Sequence, residues 1–178
     1  MALRYDEFLA AGVHIVGISV DPPARNAAMI DKLHLPFAML SDPDGGGLLK
    51  AVDLWHPDTA HGDIGRPAVF VIHPDGAEHF RQIARDFADR VPEDELLARV
   101  TSLELQATEQ PPIAHVDPEP GDEAMPVRAL LPYCRGAKFA AKAMGMRHPD
   151  AKADADRYIE QMDRYMAAVR ELRARIGS

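Results

Sequence analysis

The chain has 178 residues, with 28 Asp and Glu against 20 Lys and Arg, and so a formal net charge of −8. This acidic balance, without clustered lysines beside exposed aromatics, argues against nucleic acid as a partner. No apolar run reaches the ~18–20 residues that span a bilayer, and the N-terminus has no signal-peptide core, so we expect a cytoplasmic protein with no membrane partner. Cys134 is the single cysteine, which excludes an intrachain disulfide framework and a cysteine-based zinc cluster.

The first part of the chain alternates predicted helices and strands. Residues 3–10 have the pattern of the last turns of an amphipathic helix, and Gly12 ends it. The nearly continuous β-branched run at 13–20 predicts a buried parallel strand. Residues 55–65 hold proline, glycines, histidines and aspartates without an apolar period, which predicts a loop. Between these lie a predicted helix at 24–33, a strand at 37–40 and a helix at 48–54.

The apolar residues 69–72 predict a central strand that is buried on both faces. Pro67 precedes this strand, and Pro74-Asp75-Gly76 closes it with a turn. The alternation over 78–84 predicts an antiparallel partner strand that completes a hairpin. Acids and a proline then start a helix that continues through Leu103.

The chain changes character after residue 106, and we place a domain boundary there. Residues 1–106 form the predicted α/β domain, and the proline-rich stretch 107–126 is a linker or an extended arm. A helical extension occupies 127–178, where Pro132 and Gly136 favour two short helices over one before residue 146.

Residues 150–176 predict the strongest helix of the chain. Its apolar positions alternate spacings of four and three, with acids near the start and arginines near the end. Such a stripe either docks on its own domain, which we favour, or pairs with a second copy to give a homodimer. The residues of the stripe are Tyr158, Met162, Tyr165, Val169, Leu172 and Ile176.

Residues 3–103 resemble the thioredoxin-like fold of peroxiredoxins in the alkyl hydroperoxide reductase and thiol-specific antioxidant family. The resemblance implies an α/β fold with a central sheet flanked by helices, and thiol-dependent reduction of hydroperoxides with a thiol reductant as partner. The stretches that carry it are Val16-Gly17-Ile18-Ser19-Val20-Asp21, Leu35-Pro36-Phe37-Ala38-Met39-Leu40-Ser41-Asp42, Arg66-Pro67-Ala68-Val69-Phe70-Val71-Ile72 and Asp75-Gly76.

The sequence lacks the Pro-x-x-x-Thr-x-x-Cys motif that carries the peroxidatic thiolate in that family, and the strand before it. The resemblance places that strand between those at 13–20 and 69–72, so two edges would lack a partner. The chain is then a truncated reading of a longer gene, or it borrows a strand from a partner or from its own 107–131 arm, or the two edges pair directly. The functional alternative to a peroxidase is a non-enzymatic interaction module.

Two residues are candidates for redox chemistry. Arg66 matches the family arginine that lowers the pKa of the peroxidatic thiolate and orients the peroxide, as implied by the resemblance. A structural role, in which Arg66 binds loop carbonyls or pairs with Asp63, is the interpretation we favour. Cys134 precedes Arg135, which would favour a thiolate, although lone cysteines are usually small buried apolar residues.

Other polar clusters give weaker signals. His56, Asp58, His61 and Asp63 have a spacing that would suit a metal, but such loops are mostly solvated surface. The run Gly45–Gly47 lacks the Lys-Ser or Lys-Thr of a phosphate-binding loop and predicts a flexible start to the next helix. We therefore expect neither a metal nor a cofactor.

Overall fold

The computed structural model describes residues 1–43, 47–58 and 62–176, without the side chains of residues 57, 58, 62 and 63. The described chain forms two compact units. Unit 1 consists of Met1–Arg85 and Val91–Gly121, and unit 2 of Asp86–Arg90 and Asp122–Ser178.

Unit 1 has the α/β composition that the sequence predicts. After a short 3₁₀ turn, its elements are α1 (Tyr5–Ala10), β1 (Val16–Ser19), α2 (Pro23–Leu33), β2 (Ala38–Ser41), α3 (Leu48–Ala51), β3 (Trp55–Asp58), β4 (Gly62–Gly65), β5 (Ala68–Ile72), β6 (Glu78–Ile83) and α4 (Glu93–Thr101). Pro23 starts α2 and three acids occupy the first turn of α4, which are the residues that helix starts favour.

The strands form three two-stranded sheets. β1 pairs with β2 in parallel, β3 with β4 antiparallel, and β5 with β6 antiparallel, which confirms the predicted hairpin after the turn at Pro74. Among the described residues no ladder joins β1 to β5, so the two edges do not pair directly. The predicted loop at 55–65 is wrong, because β3 and β4 pair through their backbones and need no apolar period.

The side chains of β1 and β5 are more exposed than the sequence predicts. In β1 the side chains of Val16 and Ile18 are 50% and 41% exposed, so the predicted burial of this strand is wrong. In β5 only Val71 is buried, while Ile72 is 55% exposed, so β5 is neither central nor covered on both faces. In β1 the exposed Val16 and Ile18 alternate with the less exposed Gly17 and Ser19, so one face of that strand is left uncovered.

The core of unit 1 lies between α1, α4 and the β5–β6 hairpin. Its buried residues are Phe8, Val71, Leu96, Leu97 and Val100. The segment after α4 packs close to the end of α1, where a side chain at Gly12 would place its Cβ 2.5 Å from the Gln106 carbonyl oxygen. Gly12 also has a φ of +77°, so glycine suits this position on both counts.

The proline-rich segment contacts the helices that precede and follow β1 and forms no strand. The Thr108 amide donates to the Leu9 carbonyl at 2.9 Å, and the Glu119 amide donates to the Ala24 carbonyl at 3.0 Å. Between these two contacts the segment has no ladder with β1, and the described residues of 107–131 contain no strand. The segment therefore does not supply the missing strand in this structure.

Unit 2 is a helical hairpin. A single helix, α5 (Val127–Arg147), replaces the two short helices that the sequence predicts, and α6 (Lys152–Ile176) confirms the long C-terminal helix. Pro132 lies on the exposed face of α5, and Cys134 and Gly145, on the opposite face, are buried on either side of the middle of the helix. A Cβ at Gly145 would lie 2.9 Å from that of Ala155, so α5 and α6 pack closely there.

The apolar stripe of α6 is covered within unit 2. Met162 is fully buried, and Met166 joins it in a cluster with Ala88 and Cys134. The Phe87 ring contacts the rings of three tyrosines, and the Tyr165 hydroxyl donates to the Phe87 carbonyl at 2.6 Å. No helix of the described chain combines the length and apolarity that a bilayer span requires.

Candidate functional site

The position of Arg66 is set by the turn that follows α3. The helix ends in a Schellman motif, in which the Leu54 amide donates to the Leu49 carbonyl at 2.7 Å and the Asp53 amide to the Lys50 carbonyl at 3.2 Å. Asp53 takes the left-handed conformation that this motif needs, with a φ of +57°. Leu49 and Leu54 are both buried, as expected for the apolar contact of the motif.

Arg66 binds this turn with its backbone and its side chain. Its amide donates to the Leu54 carbonyl at 2.8 Å. Its guanidinium donates to the Asp53 carbonyl and lies 3.3 Å from an Asp53 carboxylate oxygen. Arg66 therefore binds a loop carbonyl, as expected for a structural role, and the acid beside it is Asp53. The Asp63 side chain, the acid that the sequence suggested, lies outside the described residues.

The arrangement around Arg66 offers a positive charge without a nucleophile. The side chain is 39% exposed, so solvent reaches the guanidinium, and one of its nitrogens is already used by Asp53. Unit 1 contains no cysteine, because the only one in the sequence is Cys134. Arg66 by itself therefore fixes a turn, and any redox step at this position would need a thiol from elsewhere.

A buried polar network lies at the carboxyl ends of β1 and β2, and sequence reasoning did not find it. Asn26 of α2 is 2% exposed; its amide nitrogen donates to the Leu40 carbonyl at 3.1 Å and to the Ser41 hydroxyl at 3.0 Å. Its carbonyl accepts from the Ser19 hydroxyl at 2.9 Å. The network is satisfied and contains no acid or base, so its role is to join α2 to both strands.

A sequence signal for this network did exist. Asn26 lies three, four and seven residues before Met29, Ile30 and Leu33, which places an amide on the apolar stripe of α2. A polar side chain on such a stripe is buried and needs partners, and the two serines at the ends of the adjacent strands supply them.

Asp42 explains the start of α3. Its two carboxylate oxygens accept the amides of Gly47 at 3.0 Å and Leu49 at 2.8 Å. These backbone hydrogen bonds hold the pKa of Asp42 below its ordinary value. Gly45 and Gly46, in the predicted flexible stretch, lie outside the described residues.

Cys134 is a packing residue of unit 2. Its side chain is 5% exposed and lies among Ala88, Met162 and Met166. Burial raises the pKa of the Cys134 thiol, which favours the neutral form over the thiolate. The environment is the opposite of the electropositive, accessible one that reactive cysteines need, and Arg135 on the next position is exposed.

The His and Asp residues of the 55–65 stretch, whose spacing would suit a metal, are only partly described by the structure. His56 lies in β3, while His61 and the side chains of Asp58 and Asp63 lie outside the described residues. Among the side chains that the structure does describe, no three His, Cys, Asp or Glu residues come together to hold an ion.

Comparison with known proteins supports the family resemblance of the N-terminal region. Residues 1–77 match the model of the AhpC/TSA family, a peroxiredoxin-like redox family with a thioredoxin-like fold. The matched range holds β1 to β5, including Arg66, and ends before β6. No curated protein matches the chain. Over residues 1–77 the chain is therefore similar to the AhpC/TSA family, and its mixed α/β elements agree with the thioredoxin-like fold of that family.

Proposed function

We propose that residues 1–178 form a peroxiredoxin-like module that does not reduce peroxides at a substantial rate with its own cysteine, and that acts by binding a partner. The buried position of Cys134, the only thiol, carries this proposal. In peroxide reduction a thiolate sulfur attacks one peroxide oxygen, the O–O bond breaks, and a sulfenic acid and an alcohol or water result. A buried thiol with a raised pKa supplies little thiolate and gives peroxide little access.

The surroundings of Arg66 support the same proposal. The family role of this arginine is to lower the pKa of a neighbouring thiolate and orient the peroxide. Here the Arg66 guanidinium donates to the Asp53 carbonyl, and the Arg66 backbone amide donates to the Leu54 carbonyl. Arg66 is therefore a residue that stabilises the turn after α3 and that keeps its family position without the family's nucleophile.

The second candidate function is the thiol-dependent reduction of hydroperoxides. The family match over residues 1–77 favours it. The reaction would need a cysteine from outside the 178 residues given, placed beside Arg66, and a thiol reductant to restore it. The first candidate predicts binding of a partner, whereas this candidate predicts peroxide turnover once such a cysteine is supplied.

Peroxide consumption by the purified chain tests the proposal. Hydrogen peroxide and an organic hydroperoxide are each incubated with dithiothreitol and the wild-type chain or Cys134→Ser, with buffer as reference. We expect both proteins to match the buffer rate. Consumption by the wild type that Cys134→Ser abolishes would overturn the proposal, because it would show that the buried thiol turns over.

Two further expectations belong to this proposal. A homodimer through the C-terminal helix stays a prediction, and light scattering of the full chain tests it; the stripe that suggested it is covered within unit 2. We also place the protein in the cytoplasm, since a single cysteine offers no disulfide framework for an oxidising compartment.

A further inference from the structure

The outward face of α5 is apolar where a helix of a water-soluble hairpin is normally polar. The exposed positions recur at spacings of four and three along the helix, opposite the buried Cys134 and Gly145. Phe139 is 64% exposed and Met146 is 77% exposed. We call this face the α5 outer stripe; its residues are Pro132, Gly136, Phe139, Ala143 and Met146.

The charges on α5 are all positive. The helix carries five Lys and Arg residues and no Asp or Glu. Lys138 faces α6, where its ammonium binds the Asp163 carboxylate at 2.6 Å. Arg128, Arg135 and Lys142 recur every seven residues on one border of the outer stripe, and none of them has an ion pair or hydrogen bond to the described residues.

This pattern fits a helix as the occupant. Residues at alternating spacings of four and three are the seam through which one helix packs on another, and the small residues Gly136 and Ala143 let a second backbone approach closely. Cations at a seven-residue repeat occupy the border positions whose charge selects the partner helix. The helix that complements the α5 outer stripe would therefore carry acids on the border of its own apolar stripe.

A second copy of α5 does not satisfy these charges. In an antiparallel pair Arg128, Arg135 and Lys142 would face the same three residues of the other copy. In a parallel pair they would face the opposite border of the stripe, which holds no acid. The residues of that opposite border are Tyr133, Ala140 and Arg147.

A lipid surface fits the stripe less well than a helix does. Binding to a bilayer surface grows with the apolar area that enters it, and bulky residues provide that area. The α5 outer stripe has two bulky residues, Phe139 and Met146, whereas Gly136 and Ala143 provide little area but allow close helix packing.

We propose that the α5 outer stripe docks an amphipathic α-helix of a partner protein whose apolar stripe is bordered by Glu or Asp at seven-residue spacing. The partner is recognised by apolar packing against Phe139 and Met146 and by pairing of its acids with the cations at 128, 135 and 142. This inference rests on the partner-binding role proposed above and names the chemistry of the partner. Its test measures peptide binding, so it can fail while the peroxide assay still agrees with the proposed function, and the reverse.

The test uses two designed peptides of about three heptads with leucine at the two seam positions. One peptide carries glutamate on both borders of its stripe, and the other carries lysine there; like charges keep either from pairing with itself. Binding of each labelled peptide to the full chain is measured by fluorescence anisotropy at two salt concentrations. We expect the glutamate peptide to bind, more weakly at high salt, and the lysine peptide to bind roughly tenfold less tightly or not at all.

Charge reversal on the chain completes the test. The variant Arg135→Glu/Lys142→Glu should lose roughly tenfold or more in affinity for the glutamate peptide and gain affinity for the lysine peptide. The matched control Arg164→Glu/Arg170→Glu makes the same charge change at exposed positions of α6 and should bind as the wild type does. A variant that prefers the lysine peptide over the glutamate peptide must still have a folded α5, and its changed preference shows that the charges on α5 select the bound helix.

Four outcomes would overturn the inference. In the peptide assay, these are that neither peptide binds the chain, that both peptides bind equally, or that Arg164→Glu/Arg170→Glu changes peptide affinity as much as the α5 variant does. The fourth is that the chain sediments as a dimer and that Phe139→Glu dissociates this dimer. Vesicles with anionic lipid serve as the competing surface: binding to them at protein concentrations where the glutamate peptide does not bind would assign the stripe to a membrane instead.

Discussion

The strands of unit 1 and the contact between the two helices of unit 2 bury their apolar side chains to very different degrees. Val16 of β1 and Leu40 of β2 are 50% and 53% exposed, whereas Met162 of α6 is fully buried. A helix satisfies its own backbone, so two helices can cover each other's stripe without further neighbours. A two-stranded sheet cannot cover its own faces, so its side chains are buried only where other elements pack on those faces.

The largest effect should come from the core of unit 1. Phe8 is 1% exposed against Leu96 and Val100, so Phe8→Ala should lower the free energy of unfolding by about 3–5 kcal/mol. Urea unfolding followed by the fluorescence of Trp55, the single tryptophan, measures it. Met29→Ala, at an exposed site on α2 of the same unit, is the control and should cost clearly less than Phe8→Ala. Similar losses in both variants would mean that Phe8 is not a core residue.

A comparable loss is expected in the core of unit 2. Met162→Ala should cost about 2–5 kcal/mol, because Met162 is fully buried beside Cys134 and Met166. Thermal unfolding followed by helical circular dichroism measures this loss. Met146→Ala makes the same change on the outward face of α5, where 77% of the side chain is exposed, and should leave the midpoint nearly unchanged. An unchanged midpoint for Met162→Ala would contradict the hairpin packing.

The buried network between β1 and β2 gives a smaller effect. Asn26→Ala should cost about 1–3 kcal/mol, since it leaves the Leu40 carbonyl and two serine hydroxyls without their partner. Ser41→Ala removes one of these bonds and should cost less. Urea midpoints of both variants, read by Trp55 fluorescence, test the order. If Ser41→Ala costs as much as Asn26→Ala, the amide is not the centre of the network.

The smallest effect concerns the start of α3 and depends on pH. The folded pKa of Asp42 lies below its ordinary value of 3.8, so the carboxylate form stabilises the fold above that pH, and the contribution is lost as pH falls through the lowered pKa. Asp42→Asn should therefore be less stable than the wild type at pH 7, and the difference should shrink near pH 3. Urea unfolding at both pH values measures it.

A matched acid serves as the control for Asp42. Asp31 is exposed on α2, and its carboxylate accepts no hydrogen bond from the described residues. Asp31→Asn removes the same charge without removing a helix start, so it should lower stability less at pH 7. Equal effects of the two variants would assign the Asp42 result to net charge alone.

The sequence predicts the helices and strands of this protein better than it predicts how they pair and pack. The spacing of α6 and the turn at Asp75-Gly76 are local signals, and both the long helix and the β5–β6 hairpin are confirmed. The hairpin of β3 and β4 was missed because its pairing is made by backbone atoms. α5 was predicted as two helices because Pro132 is a local signal for a break, which packing of both halves of the helix in unit 2 outweighs.

The candidate site was predicted only in part, for a related reason. Arg66 was singled out by its place before β5, but its partner Asp53 lies 13 positions earlier and depends on the turn after α3. The burial of Cys134 depends on Met162 and Met166, which approach it only when α5 and α6 fold against each other. Contacts of this kind are set by tertiary packing, which no local pattern reports.

The reactivity of Cys134 as a function of pH tests the central claim most directly, which is that the one thiol packs a core and does no peroxide chemistry. Alkylation by iodoacetamide is timed from pH 6 to 10 in the native chain and in denaturant. Burial predicts slow native alkylation with a midpoint above the ordinary cysteine pKa of about 8.5, and fast alkylation once the chain is unfolded. Fast native alkylation with a midpoint below about pH 7 would show a reactive thiolate and contradict the account.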